Sequence, residues 1–510
     1  MANINIVFNG INYLIDESSL ATATSNLRSH LLTVMNGSGA VINLDGDSYD
    51  VDASKLSTAT RSLVSHLGTI AGNDTKIVVG GAEYFIDDAK VGNTTSILEN
   101  YLGNLNIPSI ADLENKYQFV YFSTLGNAVN AVNNNTIDNY DADKETAAAG
   151  VYIDENENIN VVLLKDVEEK VSVASNMTIN LGGHTLSSTV GSALMINSGK
   201  VHVDGRIDGS TIIANAPDGV SPRAIAINTN GDVSVEGGTY IGSGTNKAST
   251  AILCLGKLTI NNATAIGRTT AAFTHGISMS SSSSSANITN CKIYIYADKG
   301  ENDGVHVQEA YAVTISDSEI KTYSHYKSKT NTDTGTNHYS VSATGIKQSG
   351  TGVVTLNNCY VMGTHSGVET CGTLYVNGGI YEGYGHGGFY VQGRNATTYI
   401  RNAIIRECDM PEGYETDIYS NRTGAYFGYN NGITVYVDNC GFVGQTWPFV
   451  IKGGSEATTV YVSNSTIDGG SIRIDTDSHR LYIGAGNNFT AENTQRPTSV
   501  ITTDETYIMS

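Results

Sequence analysis

Two periodicities and one composition bias predict an all-β parallel β-helix of about 11–13 coils, preceded by an α+β domain of three repeats of about 36 residues. The first is a phrase of two alternating apolar residues, a polar turn residue and a further short apolar strand. It returns eleven times across residues 177–470, from MTINLGGHTL through VSVEGGTYIG, LTINNATAIG and VTLNNCYVMG to VYVSNSTIDG. The second is a 35–36-residue repeat in the first 105 residues. The bias is a wealth of Val, Ile, Thr and Tyr in period-2 alternation, which excludes a helical solenoid.

Taken in chain order, the repeats NGINYLIDESSLATATSNLRSHL, DGDSYDVDASKLSTATRSLVSHL and GGAEYFIDDAKVGNTTSILENYL come first. They align at Gly10/Gly46/Gly81, Tyr13/Tyr49/Tyr84 and Leu31/Leu67/Leu102. Each reads as a strand, a turn at the glycine, a second strand, then apolar residues spaced four, seven and four apart, which is a hairpin followed by a helix. The units span residues 4–37, 41–72 and 76–105 of a domain covering 1–107. Units this small bury little alone and pack on each other or on a partner. His30 and His66 recur, but Tyr101 takes their place in the third unit, so helix packing outweighs a metal role.

Residues 108–176 form a linker and entrance. FSTLGNAVNAVNNNTI has the pattern of an amphipathic helix, and the strands GVYIDE, INVVLL and KVSVA follow. A helix over the first coil would keep its apolar end and open strand edge from water. Asn133 to Lys144 reads as a loop.

In residues 177–490 the turn position of the successive phrases falls at Leu181, Gly205, Gly237, Asn262, Asn290, Asp317, Asn358, Gly378, Asn402, Asn439 and Asn464. All but Leu181 are types that enter the left-handed region cheaply, so φ > 0 is expected there once per coil. The residue after the turn is mostly small: Gly238, Ala263, Cys291, Ser318, Cys359, Gly379, Ala403, Cys440 and Ser465. That reads as an inward column against the bend. Cys291 and Cys359, two coils apart, would stand about 9–10 Å from each other at a strand spacing of about 4.8 Å, too far for a disulfide. Residues 491–510 are a C-terminal tail.

Twenty-nine basic and 50 acidic residues give a net charge of −21, which argues against nucleic acid or an anionic membrane surface as partner. No stretch of 18 apolar residues occurs, so no membrane insertion is expected. MANINIVFNG lacks the basic start and apolar core of an export signal.

The stretch YFSTLGNAVNAV, then LLKDVEEKVSVASNMTINLGGHTL, then the turn ladder resemble the pectin-lyase-like right-handed parallel β-helix superfamily over about three quarters of the chain. With a repeated adaptor in front, the layout is similar to phage tailspikes and related virion fibres. The resemblance implies a homotrimer in the virion, assembled in the host cytoplasm and released by lysis. Other virion proteins of the capsid or tail would be gripped through residues 1–107, and host surface polysaccharide would be met by the β-helix. It also leaves open a free polysaccharide lyase or glycoside hydrolase, and a purely structural head or tail fibre.

Three coils swell: the steps from Asp317 to Asn358 (41 residues), Asn402 to Asn439 (37) and Gly205 to Gly237 (32). Such excess forms protruding loops, the places where β-helix proteins build grooves. Between the two longest lie the candidate site residues. Glu369, Glu382, Glu407 and Asp409 are candidate catalytic carboxylates, as glycoside hydrolysis needs a pair. His365, His386, Arg394 and Arg406 are candidate substrate-binding residues, and Trp447 in QTWPF is either a stacking platform or a packed coil edge. Glu382 and Arg406 hold the same place in successive coils and should form an ion pair. Asn331-Thr332-Asp333 and Gly385-His386-Gly387 echo two motifs of the polygalacturonase-like members, but the paired aspartates and the RIK are missing. No metal site is expected from Cys/His spacing and no cofactor from any motif. Calcium at Asp298, Glu301 and Asp303 is the single ion considered, against a solvated turn.

Overall fold

The computed structural model describes residues 108–503, apart from 217–219, 246–247, 271–272, 298–301, 325–342, 394, 409–422, 429–431, 445, 453–455 and 490–496, together with six strands of residues 1–107. The chain divides into two compact units, Met1–Ser109 and Ile110–Ser510.

In the first unit, antiparallel hairpins flank the three repeated glycines. Asn3–Phe8 pairs with Ile11–Asp16, Met35–Leu44 with Asp47–Val51, and Ala71–Val79 with Ala82–Ile86. The register repeats with the sequence: Tyr13, Tyr49 and Tyr84 stand opposite Ile6, Ile42 and Ile77. The helices expected after each hairpin, with His30 and His66, lie outside the described residues.

The second unit is nearly all β, a single hydrogen-bonded ladder of 37 strands. It opens with a short helix α1 (Ile110–Lys116), which the sequence reading did not anticipate, and with Val120–Phe122, Ala149–Ile153 and Ile159–Leu163 paired antiparallel. Helix α2 (Leu125–Asn133) covers the first coil as expected. Thr124 caps it by accepting the Asn127 N–H at 2.9 Å, and the Glu169 carboxylate accepts the N–H groups of Leu125 and Gly126 at 2.8 Å each. These bonds satisfy donors that a helix start otherwise leaves orphaned. The α2 face of Leu125, Ala128, Val129 and Val132 is buried in one core with Val171, Val173 and Ile179 of the first coils.

Beyond this entrance every strand pairs in parallel with its counterpart one coil on, and each coil has three strands. Lys257–Asn261, Ser285–Thr289 and Ala312–Ser316 typify the first face; Thr264–Thr269, Lys292–Ala297 and Glu319–Ser324 the second; Thr274–Met279, Asn302–Val307 and Ala343–Gln348 the third. The ladder passes both limits of residues 177–490, since Ile159–Leu163 pairs in parallel with Met177–Asn180, and Val500–Thr502 with Arg480–Ile483.

Between the first and second faces the backbone turns through φ values of 50° to 77° at Gly237, Asn262, Asn290, Asp317, Asn358, Gly378, Asn402, Asn439 and Asn464. The expectation fails at two positions. Leu181 is a buried core residue and the positive φ falls on Gly182 and Gly183, while Gly205 is not left-handed. Stacked turn residues also bond to each other: Asn439 Nδ2 donates to Asn402 Oδ1 at 2.7 Å, and Asn358 Nδ2 to the Asp317 carboxylate at 2.9 Å. Asn439→Ala therefore loses a hydrogen bond and forces a Cβ residue other than Asn into φ 52°, an expected cost of about 1–2 kcal/mol. Asn439→Gly should recover the backbone share. Equal urea midpoints for the alanine variant and the parent would refute this.

The small column is inward, with Ala263, Cys291, Ser318, Cys359, Ala403, Cys440 and Ser465 all buried. All six cysteines are free thiols. Burial pushes Cys291, Cys359 and Cys440 up to about 12, which makes them poor nucleophiles at neutral pH. Where the column holds Gly238 or Gly379, a buried tyrosine two residues on fills the gap. The hydroxyls of Tyr240 and Tyr381 lie 3.0 and 3.1 Å from where a Cβ would stand and donate to the carbonyls of Gly237 and Gly378.

A second small column lies where the second and third faces meet: Ala224, Ala251, Gly276, Gly304, Gly345, Gly367, Gly388 and Gly424. A Cβ on Gly276, Gly304, Gly345 or Gly367 would meet the carbonyl oxygen of the next glycine in the series at 2.5–2.7 Å. The extra residues of all three swollen coils fall between a second-face strand and a third-face strand: Thr211–Ala216 and Arg223–Gly237, Glu319–Ser324 and Ala343–Gln348, and Ile404–Glu407 and Thr423–Phe427.

Candidate functional site

The residue two positions after each corner glycine points away from the core, and parallel register stacks these side chains along the outside of the third face. Ser278 pairs with His306, His306 with Lys347, Lys347 with Glu369, Glu369 with Tyr390, Tyr390 with Tyr426, Tyr426 with Val450 and Val450 with Arg473. The result is a polar and aromatic strip beside the corner at which the longest sequence insertions fall.

Four candidate residues fall on or next to it. Glu369 is buried; its carboxylate accepts a hydrogen bond from Gln392 and has the Lys347 ammonium 3.9 Å away. His365 and His386 lie in the corner one coil apart, with His386 Nδ1 2.7 Å from His365 Nε2. Burial is the main cause that lowers both imidazoles, His386 to about 4 and His365 well below its usual value. At neutral pH both are uncharged, one ring nitrogen donating to the other. His386 stacks on Tyr390 (4.7 Å between centroids, 15°) and meets Tyr426 edge-on at 5.0 Å. Trp447 is half-buried against Tyr390, Tyr426 and Val450, with the Arg473 guanidinium 5.2 Å from its ring centre. It is therefore both a packed edge and a partly open aromatic surface.

Glu382 and Arg406 belong to the second face. They are register partners and form the expected ion pair, to which the Tyr360 hydroxyl adds a hydrogen bond at 2.8 Å to the other carboxylate oxygen. Glu382 is buried while Arg406 is half-exposed, so the pair is anchored from one side. Glu407, half-buried, closes the same strand and pairs in register with Gly383. Arg394, Asp409, and the Asn331-Thr332-Asp333 motif lie outside the described residues. The placed carboxylates thus occupy two faces, Glu369 on the third and Glu382 and Glu407 on the second, and Glu369 and Glu382 each have a cation of their own.

Toward the start of the strip, His275, Asp303 and His306 converge. His275 Nδ1 and His306 Nδ1 lie 3.4 and 3.6 Å from Asp303 Oδ2, and His306 Nδ1 lies 3.4 Å from His275 Nε2. Burial lowers the His306 imidazole to about 4. Lys347, Gln392, Tyr390, Tyr426 and the two histidines were missed as site residues. For His306, Lys347, Tyr390 and Tyr426 the signal is the phrase Gly, apolar, variable, as in GVH, GIK, GFY and GAY; His275, just before Gly276, and Gln392 fall outside it.

Among the described residues no helix is long and apolar enough to cross a membrane. No protein-family model matches the chain, and neither a curated protein nor a solved structure is significantly similar to it.

Proposed function

We propose that this protein is a virion appendage of the tailspike or fibre type that holds host surface polysaccharide along the third face of its β-helix. The observation that carries the reading is the strip from Lys347 to Arg473. It sets the half-buried Trp447 and His365 beside charged Lys347, Glu369 and Arg473 on a rigid parallel ladder. Aromatic faces with fixed polar groups around them are what a sugar ring and its hydroxyls require. Right-handed coiling follows from the strong preference of parallel crossover connections. The three hairpin repeats, each completed by a helix in an α+β adaptor, are the attachment part.

Side-by-side trimerisation is supported by the outer first face. Tyr375, Tyr399, Tyr436, Tyr461 and Tyr482 stack there at 4.7–5.1 Å between ring centres, a flat strip suited to a like surface.

Binding rather than cleavage is favoured, because Glu369 and Glu382 stand on different faces, each with its own cation. The test is retention of bacterial capsular and other acidic polysaccharides by the immobilised full chain, with new reducing ends and unsaturated uronates followed in parallel. Trp447→Ala should weaken the retained glycan 10-fold or more, a loss of about 1.4 kcal/mol, with the circular dichroism spectrum unchanged. Retention of no glycan would defeat the reading; cleavage abolished by Glu369→Gln or Glu382→Gln would convert it to a depolymerase.

A further inference from the structure

We propose that His275, Asp303 and His306 form a binding site for a divalent first-row transition metal. The inference stands apart from glycan recognition and does not depend on it.

Parallel register brings the three together. His275 and Asp303 are direct partners on the adjoining strands Thr274–Met279 and Asn302–Val307, and His306 follows three residues after Asp303, opposite Ser278. The three side chains offer one donor atom each, and all these atoms lie within 4.8 Å of one another. The separations of 3.4 and 3.6 Å from Asp303 Oδ2 to the two Nδ1 atoms fit a tetrahedron around a metal. With bonds of about 2.1 Å, its edge is about 3.4 Å.

A second observation points to a missing ligand. Asp303 is 1% exposed, and neither of its carboxylate oxygens has a hydrogen-bond partner; nor has His275 Nδ1. A buried carboxylate needs positive charge or donors. An ordinary Asp–His pair would supply an N–H···O bond, and none is formed here. A bound cation supplies what both groups lack.

The surroundings suit a ligand set. Ser349 Oγ lies 3.3 Å from His306 Nε2, an outer contact that orients the ring and leaves Nδ1 for the metal. His275 and His306 side chains are 13% and 18% exposed, so the site is reachable from solvent with a position left for water. Two imidazoles and one carboxylate suit zinc, cobalt, manganese or iron, whereas calcium takes oxygen donors. This differs from the calcium reading of the Asp298, Glu301 and Asp303 run. Asp303 faces imidazoles instead, and Asp298 and Glu301 lie outside the described residues.

The test uses the full chain stripped by chelator. Cobalt(II) is titrated in while visible absorption is read, and zinc(II) binding is measured by calorimetry. One equivalent is expected, with the intense d–d bands of a low-coordinate site, and affinity should fall at least 100-fold in Asp303→Asn and in His306→Gln. If Asp303→Asn does not fold, His275→Gln and His306→Gln, at the solvent side, carry the comparison. Absence of stoichiometric binding in the parent, or binding unchanged in the histidine variants, would overturn the assignment.

Discussion

Phe442→Ala should cost about 3–5 kcal/mol, lowering the urea midpoint by about 1 M at a slope of about 3 kcal/mol/M or more. Phe442 is fully buried and meets Phe449 at 5.6 Å and Phe427 at 6.3 Å between ring centres, while Phe427 and Phe449 stand 5.8 Å apart, all three with no exposed surface. Aromatic contacts at such angles add to the area buried. The surrounding strands are held by ladder bonds on both sides, so they can move little into the void and the cavity term persists. Phe442→Leu, which keeps most of the volume, should cost under about 1.5 kcal/mol. Because each coil touches only its neighbours, amide exchange should accelerate first in Ile404–Glu407, Gly441–Gly444 and Thr466–Gly469. Equal losses for the two variants would mean that the stack closes over the hole.

Acid should loosen the corner that holds His365 and His386. Their native values lie below the ordinary 6.5, so in this range the unfolded chain binds protons that the folded one refuses. Stability from these groups is therefore complete above pH 6.5 and falls as pH drops below it; the His386 share is lost between 6.5 and about 4 and is constant below that. For His386 the whole loss approaches ~3 kcal/mol at about 1.4 kcal/mol per pH unit; His365 adds in the same direction. Lys347 and Lys452 reinforce it, since a positive charge nearby disfavours imidazolium. His386→Phe keeps a ring against Tyr390 and removes the titration. Its thermal midpoint should fall less than that of the parent between pH 6.5 and 4.5, and parallel profiles would refute the assignment. The difference between the two proteins is the diagnostic quantity, because carboxylates throughout the chain also titrate toward the lower end.

Most of the first-face corner was legible because a left-handed residue is demanded once per coil and few residue types meet that demand cheaply. Asn262, Asn290 and Asn439 therefore announce themselves, and the misassigned Leu181 is the phrase in which two glycines follow and take the turn instead. The second corner carries an equally regular signal, Gly276, Gly304, Gly345 and Gly367. It passed unread because glycine there reflects the approach of a neighbouring carbonyl, which no single phrase reveals. The candidate site was legible only in pieces. Glu382 and Arg406 could be paired by counting from their turns, since both follow the same corner without an intervening insertion. Glu369 and Gln392, or Asp303 and His275, are separated by segments of unequal length. Their meeting depends on where each strand resumes after the corner, which the phrase alone does not specify.

That corner has a bearing on how such a chain diversifies. Glu319–Ser324 and Ala343–Gln348 keep register with their neighbours on both sides although 18 residues (325–342) separate them, and Ile404–Glu407 and Thr423–Phe427 do so across 15 (408–422). A change of sequence confined to these two points removes no residue from the pairings of the flanking strands. What one edge of this scaffold displays is thus physically separable from what holds the ladder together: the identity of the display rests on residues outside the pairing, and the strength of the ladder on residues within it.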